Sequence, residues 1–252
     1  LTPEHELLRE QVARFSAAEV EPHAERWEHE GVTPREVLRK MGDAGLLGLM
    51  YASEHGGAEA DALTNLVFAE ALSQSTFGGF IITVLVHTDM ASPHLHHAGT
   101  REQKAKYMPG ITSGRTITAV AITEPGAGSD VAGLRTTARR VREDQGDQWL
   151  LDGTKLFITN GVHADLYFVA ARTGPGRHDI SMFIVEKGTP GLSVVRKEDK
   201  MGHRASSTAA LSFDNCAVPR SNLLGAPGAG LNILLASLNK SRPSVAAHAL
   251  GI

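Results

Sequence analysis

The sequence predicts a multidomain α+β chain: an N-terminal helical bundle, a small β-barrel or sandwich in the middle, and the start of a further helical segment. Three observations carry this. Apolar residues recur at helical spacing from Leu1 to about Arg115. The period then shortens to two, in short runs separated by turn residues. From Leu231 a helical stripe returns as Leu231, Leu234, Leu235 and Leu238.

Thr2-Pro3-Glu4 supplies a cap, a first-turn proline and an early acid, and Leu8, Val12 and Phe15 follow at helical spacing. Thr33-Pro34-Arg35-Glu36 has the form of a capping box, with Val37, Leu38 and Met41 as the apolar face and Gly45 as the stop. A loop around Ser53 to Gly57 precedes a helix starting near Asp61, with Leu63, Leu66, Val67 and Leu72 as its stripe. Phe80 to Val86 is uninterrupted and apolar, which fits a helix buried at the centre of the bundle. Thr100-Arg101-Glu102-Gln103 repeats the capping pattern, and Pro109-Gly110 is expected to end that helix. Strands are then expected at Thr116 to Ala121, Arg135 to Arg142, Leu166 to Ala171, Ser181 to Glu186, Leu192 to Val195, Ala209 to Phe213 and Cys216 to Val218. Gln148 to Thr159 holds Asp152-Gly153 between two strand-like runs, a hairpin signal. Gly225 to Gly230 reads as the turn into the last helix.

The chain has 252 residues, a 42% hydrophobic content and a net charge of -3. That charge gives no electrostatic reason to expect nucleic acid or an anionic membrane as partner. Cys216 is the single cysteine, so no intrachain disulfide is possible, and in an apolar strand it reads as packing. No apolar run approaches a membrane span, and the N-terminus is not a signal peptide. A reducing interior compartment fits. Leu1 is not an initiator methionine, so the N-terminus is read as trimmed or processed. His94, His96 and His97 lack a carboxylate or cysteine at ligand spacing and read as a helix end and its surface. Arg139, Arg140 and Arg142 read as a solvated strand edge.

The stretch Thr123-Glu124-Pro125-Gly126-Ala127-Gly128-Ser129-Asp130 exposes backbone donors and short polar groups, as a loop around a polar ligand does. A phosphate loop of the Walker type needs Lys after its last Gly, and Asp130 follows Ser129 instead. A dinucleotide-binding fingerprint should open a helix in a βαβ unit, whereas this loop has helices before it and strands behind it. Asp152-Gly153-Thr154-Lys155, Phe157-Ile158-Thr159-Asn160-Gly161, Lys200-Met201-Gly202-His203-Arg204 and Phe213 to Pro219 follow in order. Together these motifs resemble the acyl-CoA dehydrogenase family of flavoproteins, over nearly the whole chain.

The resemblance implies an N-terminal α-helical domain (1–117), a middle β-barrel (118–228) and the first helix of a C-terminal helical domain (229–252). It implies FAD as cofactor, acyl-CoA as substrate, an electron-transfer flavoprotein as acceptor, and a homo-oligomer, tetramer or dimer. The bacterial cytoplasm is the expected location, with the mitochondrial matrix as alternative. Val120, Ala121, Ile122, Thr123, Gly128 and Ser129 are expected to line the flavin and its pyrophosphate, and Phe157, Ile158 and Thr159 to cover the ring. Hydroxyls and backbone N–H groups suit the negative charge of a reduced flavin. Ser129 is also expected near the CoA chain. Glu124 and Asp130 are given loop-fixing roles, accepting backbone N–H bonds. Phe157 stands where the family often has Trp. Asn239 stands where relatives often have Asp, in Asn239-Lys240-Ser241-Arg242-Pro243, which resembles a substrate-contacting turn. Arg242 is expected at the CoA portion or as a brace, against the reading of an exposed helix arginine.

The family's reaction needs a glutamate base. No Asp or Glu occurs between Leu231 and Ile252, so the base is expected beyond Ile252 and the chain is read as truncated within the last domain. An acyl-CoA oxidase, a dehydrogenase of carrier-bound acyl chains, and a non-catalytic assembly protein are the rival readings.

Overall fold

The computed structural model describes residues 1–143 and 146–252, with the backbone alone of 142 and 143. The Arg142 side chain of the basic stripe therefore lies outside the described residues. Seven helices come first: α1 (Pro3–Phe15), α2 (Glu21–Glu30), α3 (Arg35–Asp43), α4 (Ala62–Leu72), α5 (Gly78–Leu85), α6 (Ser92–Ala98) and α7 (Arg101–Thr112). Wide π-helical turns join α1 to α2 (Ser16–Val20) and α5 to α6 (Val86–Ala91). Pro3 takes the first position of α1, where its missing N–H is no loss. Asp61 caps α4 by accepting from Thr64 N at 2.8 Å. At α7 the predicted capping box is complete: Thr100 Oγ1 accepts from Gln103 N (3.2 Å) and Gln103 Oε1 from Thr100 N (3.0 Å).

Three helical expectations fail for stated reasons. Thr33 does not cap α3, because its hydroxyl donates instead to Ala205 O, 3.2 Å away in a distant part of the chain. Leu63 is 46% exposed, so the buried stripe of α4 runs through Val67, Phe68, Ala71 and Leu72. Pro109-Gly110 does not stop α7, which runs on to Thr112. Ile111 is fully buried and the Thr112 hydroxyl donates to His55 O at 2.6 Å, so tertiary contacts hold the last turn. The central apolar helix is as expected, with Phe80, Ile81, Val84 and Leu85 buried among Trp27, Leu38, Met41 and Phe68.

Eight strands follow: β1 (Thr118–Ala121), β2 (Thr137–Glu143), β3 (Gly146–Thr159), β4 (Leu166–Arg172), β5 (Ile180–Glu186), β6 (Leu192–Lys197), β7 (Thr208–Pro219) and β8 (Leu223–Leu224). Their order is β6-β7-β3-β2-β4-β5-β8, with β1 lying parallel on β4. The sheet curls, so that Trp149 on β3 meets Phe183 on β5 at 5.5 Å although β2 and β4 separate them in the order. β4 and β5 are buried on both faces and read as continuous apolar runs. Tyr167, Val169, Phe183 and Val185 face the inner cluster. Phe168, Ala170, Met182 and Ile184 face Leu95, Met108 and Leu234 of the helices.

The hairpin expected at Asp152-Gly153 is absent. β3 runs straight through it and pairs with β7, with a register shift between Leu151 and Gly153 and with Gly153 at φ +152°. The two expected strands Ala209 to Phe213 and Cys216 to Val218 are one strand, β7, because it pairs with β3 along both stretches. The chain ends in α8 (Gly230–Gly251). Its buried face is Leu234, Ser237, Ser241, Ser244, Ala247 and His248 against α4, while Leu235 is 43% exposed.

Candidate functional site

The polar loop begins where β1 ends. Thr118 is held from two sides: its N–H donates to His87 Nδ1 (3.2 Å) and its carbonyl accepts from Asn160 Nδ2 (3.2 Å). Beyond Ala121, reciprocal bonds between Glu124 and Ala127 (2.9 and 3.2 Å) close a turn with Pro125-Gly126 at its tip. The Glu124 carboxylate is buried and accepts from the Thr136 and Arg135 amides, the latter at 2.5 Å. Its third partner is Lys155, a fully buried ammonium on β3, at 2.7 Å. Lys155 Nζ also donates to Ile122 O (3.0 Å), and Leu156 N to Thr123 O (2.8 Å).

Burial lowers Lys155 to about 8, against the opposing pull of Glu124. Burial pushes Glu124 upward, but Lys155 and the amide donors outweigh it and leave the carboxyl below its ordinary value. The two are an ion pair at neutral pH, and they tie the loop to β3. Glu124 thus accepts backbone N–H bonds as expected. Asp130 does not; its carboxylate pairs with Arg177 at 2.7 Å on the surface.

The same strand carries the second motif. A register shift between Lys155 and Ile158 re-aims the intervening residues. Phe157 sits there at φ +57° and 61% exposed. For a bulky side chain that conformation costs about 1–2 kcal/mol. The Ile158 side chain is 2% exposed and packs into the inner cluster. Its carbonyl accepts from Gly161 N at 3.0 Å, and its main chain pairs with Ala209 of β7. Asn160, at φ +63°, donates to Thr83 O at 3.1 Å as well as to Thr118 O.

Loop and bulge therefore adjoin, and they present donors outward. Among the described residues, the hydroxyls of Thr123, Ser129 and Thr159 have no hydrogen-bond partner in the chain, nor have the N–H groups of Gly126, Gly128 and Ser129. A Cβ at Gly126 or Gly128 would meet nothing within 4 Å, and neither glycine has a positive φ. The chain itself does not require glycine at these two positions. Val120 and Ile122 are half-buried and pack toward the helices, while Ala121 is buried toward the inner cluster.

The segment Asn239 to Pro243, expected as a turn, lies inside α8. Arg242 Nη1 donates to Asn239 Oδ1 at 2.8 Å, and both residues are exposed. Among the described residues no hydrogen bond joins either to the loop. Asn239, Lys240 and Ser244 line a cavity of about 490 Å³ between α8, α4, α6 and the π turn at Val86–Ala91.

The histidines of α6 also depart from expectation. His94 is 1% exposed, stacks on Phe168 at 6.1 Å, and is lowered by burial to about 4. His96 and His97 are half-buried in the cavity wall, where Lys240 Nζ reaches His97 Nε2 at 3.0 Å. Among the described residues no group of three or more His, Cys, Asp or Glu is placed to hold a metal ion. Cys216 is buried, which pushes its thiol up to about 11. No helix is long and apolar enough to cross a membrane.

Sequence reasoning missed two charged groups. Lys155 is one, because nothing in its local sequence marks a lysine as buried. Asp89 lines the cavity at 3% exposure, and its signal was a lone acid in the otherwise uncharged stretch Phe77 to Leu95.

Comparison with known proteins gives a consistent result. Residues 2–115 match the family model described as acyl-CoA dehydrogenase, N-terminal domain, and residues 119–216 the one described as acyl-CoA dehydrogenase, middle domain. The chain is 43% identical to an acyl-CoA dehydrogenase of Bacillus subtilis, over all of this chain and 66% of that protein. It is similar to a structure of acyl-CoA dehydrogenase complexed with FAD from Bacillus anthracis (TM-score 0.92, 35% identity, covering 100% of this chain and 42% of that one). It is also similar to a chain in a structure described as the electron transferring flavoprotein of Acidaminococcus fermentans (TM-score 0.93, 38% identity, covering 100% and 65%). The chain thus spans about two thirds or less of the length of each of these three.

Proposed function

Because the chain belongs to the acyl-CoA dehydrogenase family, we propose that it is the FAD- and substrate-positioning part of an enzyme that oxidises an acyl-CoA thioester to the trans-2-enoyl-CoA, in the bacterial cytoplasm. The observation that carries this is the loop tied to the bulge: two outward-facing motifs joined through Lys155 and Leu156. Their donor set fits the cofactor, since free hydroxyls and peptide N–H groups suit phosphate and a reduced flavin, and open space lies beside Gly126 and Gly128. Bound there, FAD would supply the hydride acceptor. Thr123, Gly128 and Ser129 would hold its polar parts, Val120, Ala121 and Ile122 would line it, and the exposed Phe157 with Ile158 and Thr159 would flank the ring.

Phe157 is an aromatic cover without an indole donor, and its strained backbone keeps the ring outside the core. Asn239 and Arg242 would meet the CoA thioester on α8, Arg242 being braced by Asn239. α8 carries neither Asp nor Glu, so that helix supplies no α-proton acceptor of its own. The acceptor of the electrons is an electron-transfer flavoprotein, and the working form is a homo-oligomer. The experiment is anaerobic mixing of the full-length protein with acyl-CoA thioesters. The oxidised flavin absorbance should bleach and return on adding an electron-transfer flavoprotein. A purified protein without flavin absorbance would sink the reading, and rapid reoxidation by dioxygen alone would turn it into an oxidase.

A further inference from the structure

Two histidines from distant parts of the chain meet away from the loop and bulge. His203 lies between β6 and β7, with a left-handed backbone at φ +52° that is uncommon outside glycine. His248 lies on the buried face of α8. Their ring centres are 6.2 Å apart with the planes at 71°, and both rings line a cavity of about 400 Å³ with Ser73, Ser75 and Gly78. The His203 ring occupies the place that a side chain at residue 78 would need: a Cβ on Gly78 would stand 2.8 Å from Cε1 of that ring.

Hydrogen bonds fix the tautomer of each ring. His203 Nδ1 is 2.9 Å from Gly78 O, and a carbonyl only accepts, so Nδ1 carries the proton. His248 Nδ1 is 2.7 Å from Ser73 Oγ, which already donates to Ala69 O at 2.6 Å. A hydroxyl has one proton, so His248 Nδ1 donates here as well. Nε2 of each ring is then a bare lone pair, and among the described residues neither Nε2 has a hydrogen-bond partner. An imidazole that donates its other N–H to a fixed oxygen is oriented as metal-ligating histidines are. Burial and the neighbouring His203 lower His248, which keeps its lone pair available at neutral pH.

We propose that His203 and His248 bind one late first-row divalent cation, Cu²⁺ or Zn²⁺, through their Nε2 atoms, with water completing the coordination. Imidazole nitrogen suits both ions, and Cu²⁺ binds the more tightly. An ion about 2.0–2.1 Å from each Nε2 stands about 3.2 Å from each ring centre, so one ion can bridge rings up to about 6.4 Å apart. The observed 6.2 Å lies within that span. His203 is exposed, so its ring is free to close on the ion toward the separation of about 5.2 Å that a tetrahedral angle needs. A bound ion would tie α8 to the connection between β6 and β7.

The test is calorimetric titration of the full-length protein, stripped with a chelator, with Cu²⁺ and with Zn²⁺. The wild type should take up one equivalent per chain more than His203→Ala or His248→Ala, which controls for the other histidines. Electron paramagnetic resonance of the Cu²⁺ form should show two coordinated imidazole nitrogens. Should His248→Ala not fold, the exposed His203 still decides, because its truncation leaves the core untouched. Uptake that is the same in wild type and His203→Ala overturns the proposal. So does a Cu²⁺ spectrum with a single imidazole nitrogen.

Discussion

Phe157 combines a left-handed backbone with a ring left largely in solvent. Neither feature helps the chain fold, so Phe157→Gly should remove about 1–2 kcal/mol of strain while losing little packing. The expected outcome is a melting temperature equal to or above wild type, together with a lower flavin-to-protein ratio after dialysis. A clear drop in melting temperature would show the ring to be structural. The aromatic identity was legible in the sequence; the sign of φ was not, because a bulge depends on which strand lies opposite. His87 and His94 carry a different consequence. Burial holds both at about 4, against an ordinary 6.5. His87 is fixed neutral, with Nδ1 accepting from Thr118 N and Nε2 at 3.1 Å from Ile111 O. Between pH 6.5 and 4 the unfolded chain binds protons that the folded chain refuses, so stability falls as pH falls through that window. Each histidine contributes on the order of 3 kcal/mol to the loss. His94 Nε2 has no partner, so His94→Phe should flatten the stability-pH curve below 6.5 in urea titrations without a comparable loss at pH 7.

At the scale of elements, the buried Lys155–Glu124 pair joins β3 to the loop after β1. Removing one partner strands the other as an unpaired buried charge. Lys155→Met should therefore cost about 3–5 kcal/mol, and the double variant Lys155→Met/Glu124→Gln should recover a large part of it. Denaturant unfolding of the four proteins in the cycle measures the coupling, and strict additivity would contradict it. The same strand shows why part of the sheet was misread. Asp152-Gly153 is a good local signal for a turn, yet Leu151↔Cys216 and Gly153↔Phe213 carry β3 past it as a bulge. Pairing across sixty residues outweighed a dipeptide preference. Capping boxes divide in the same way. Thr100 satisfies its own helix, whereas Thr33, with the same pattern, is claimed by Ala205 O. Helix periodicity survived because it is a property of a face. The cavity stayed invisible because its wall comes from four segments, each unremarkable alone.

On the scale of the whole molecule, helices and sheet share their interior. Leu95, Met108, Ile111 and Leu234 pack with Phe168, Met182 and Ile184 in one cluster. Arg35 crosses from α3 to bond His163 O (2.8 Å) and Arg115 O (3.1 Å) and to pair with Asp165. Trp27 lies in the helical core and Trp149 in the inner sheet cluster. With such a shared core, Trp27→Phe and Trp149→Phe variants should give the same denaturation midpoint by fluorescence, after correction for each substitution. Two separated midpoints would mean two independently folding units. β1 adds a consequence in time rather than energy. Among the described residues its only strand partner is β4, in parallel, with Thr118 opposite Leu166 and Ala121 opposite Val169. Parallel pairing between strands distant in the chain is slow to form. The polar loop hangs from that strand and is tied to β3, so we expect it to take shape only once both pairings are in place. Capture of a flavin during refolding would then act as a clock that reads the last step.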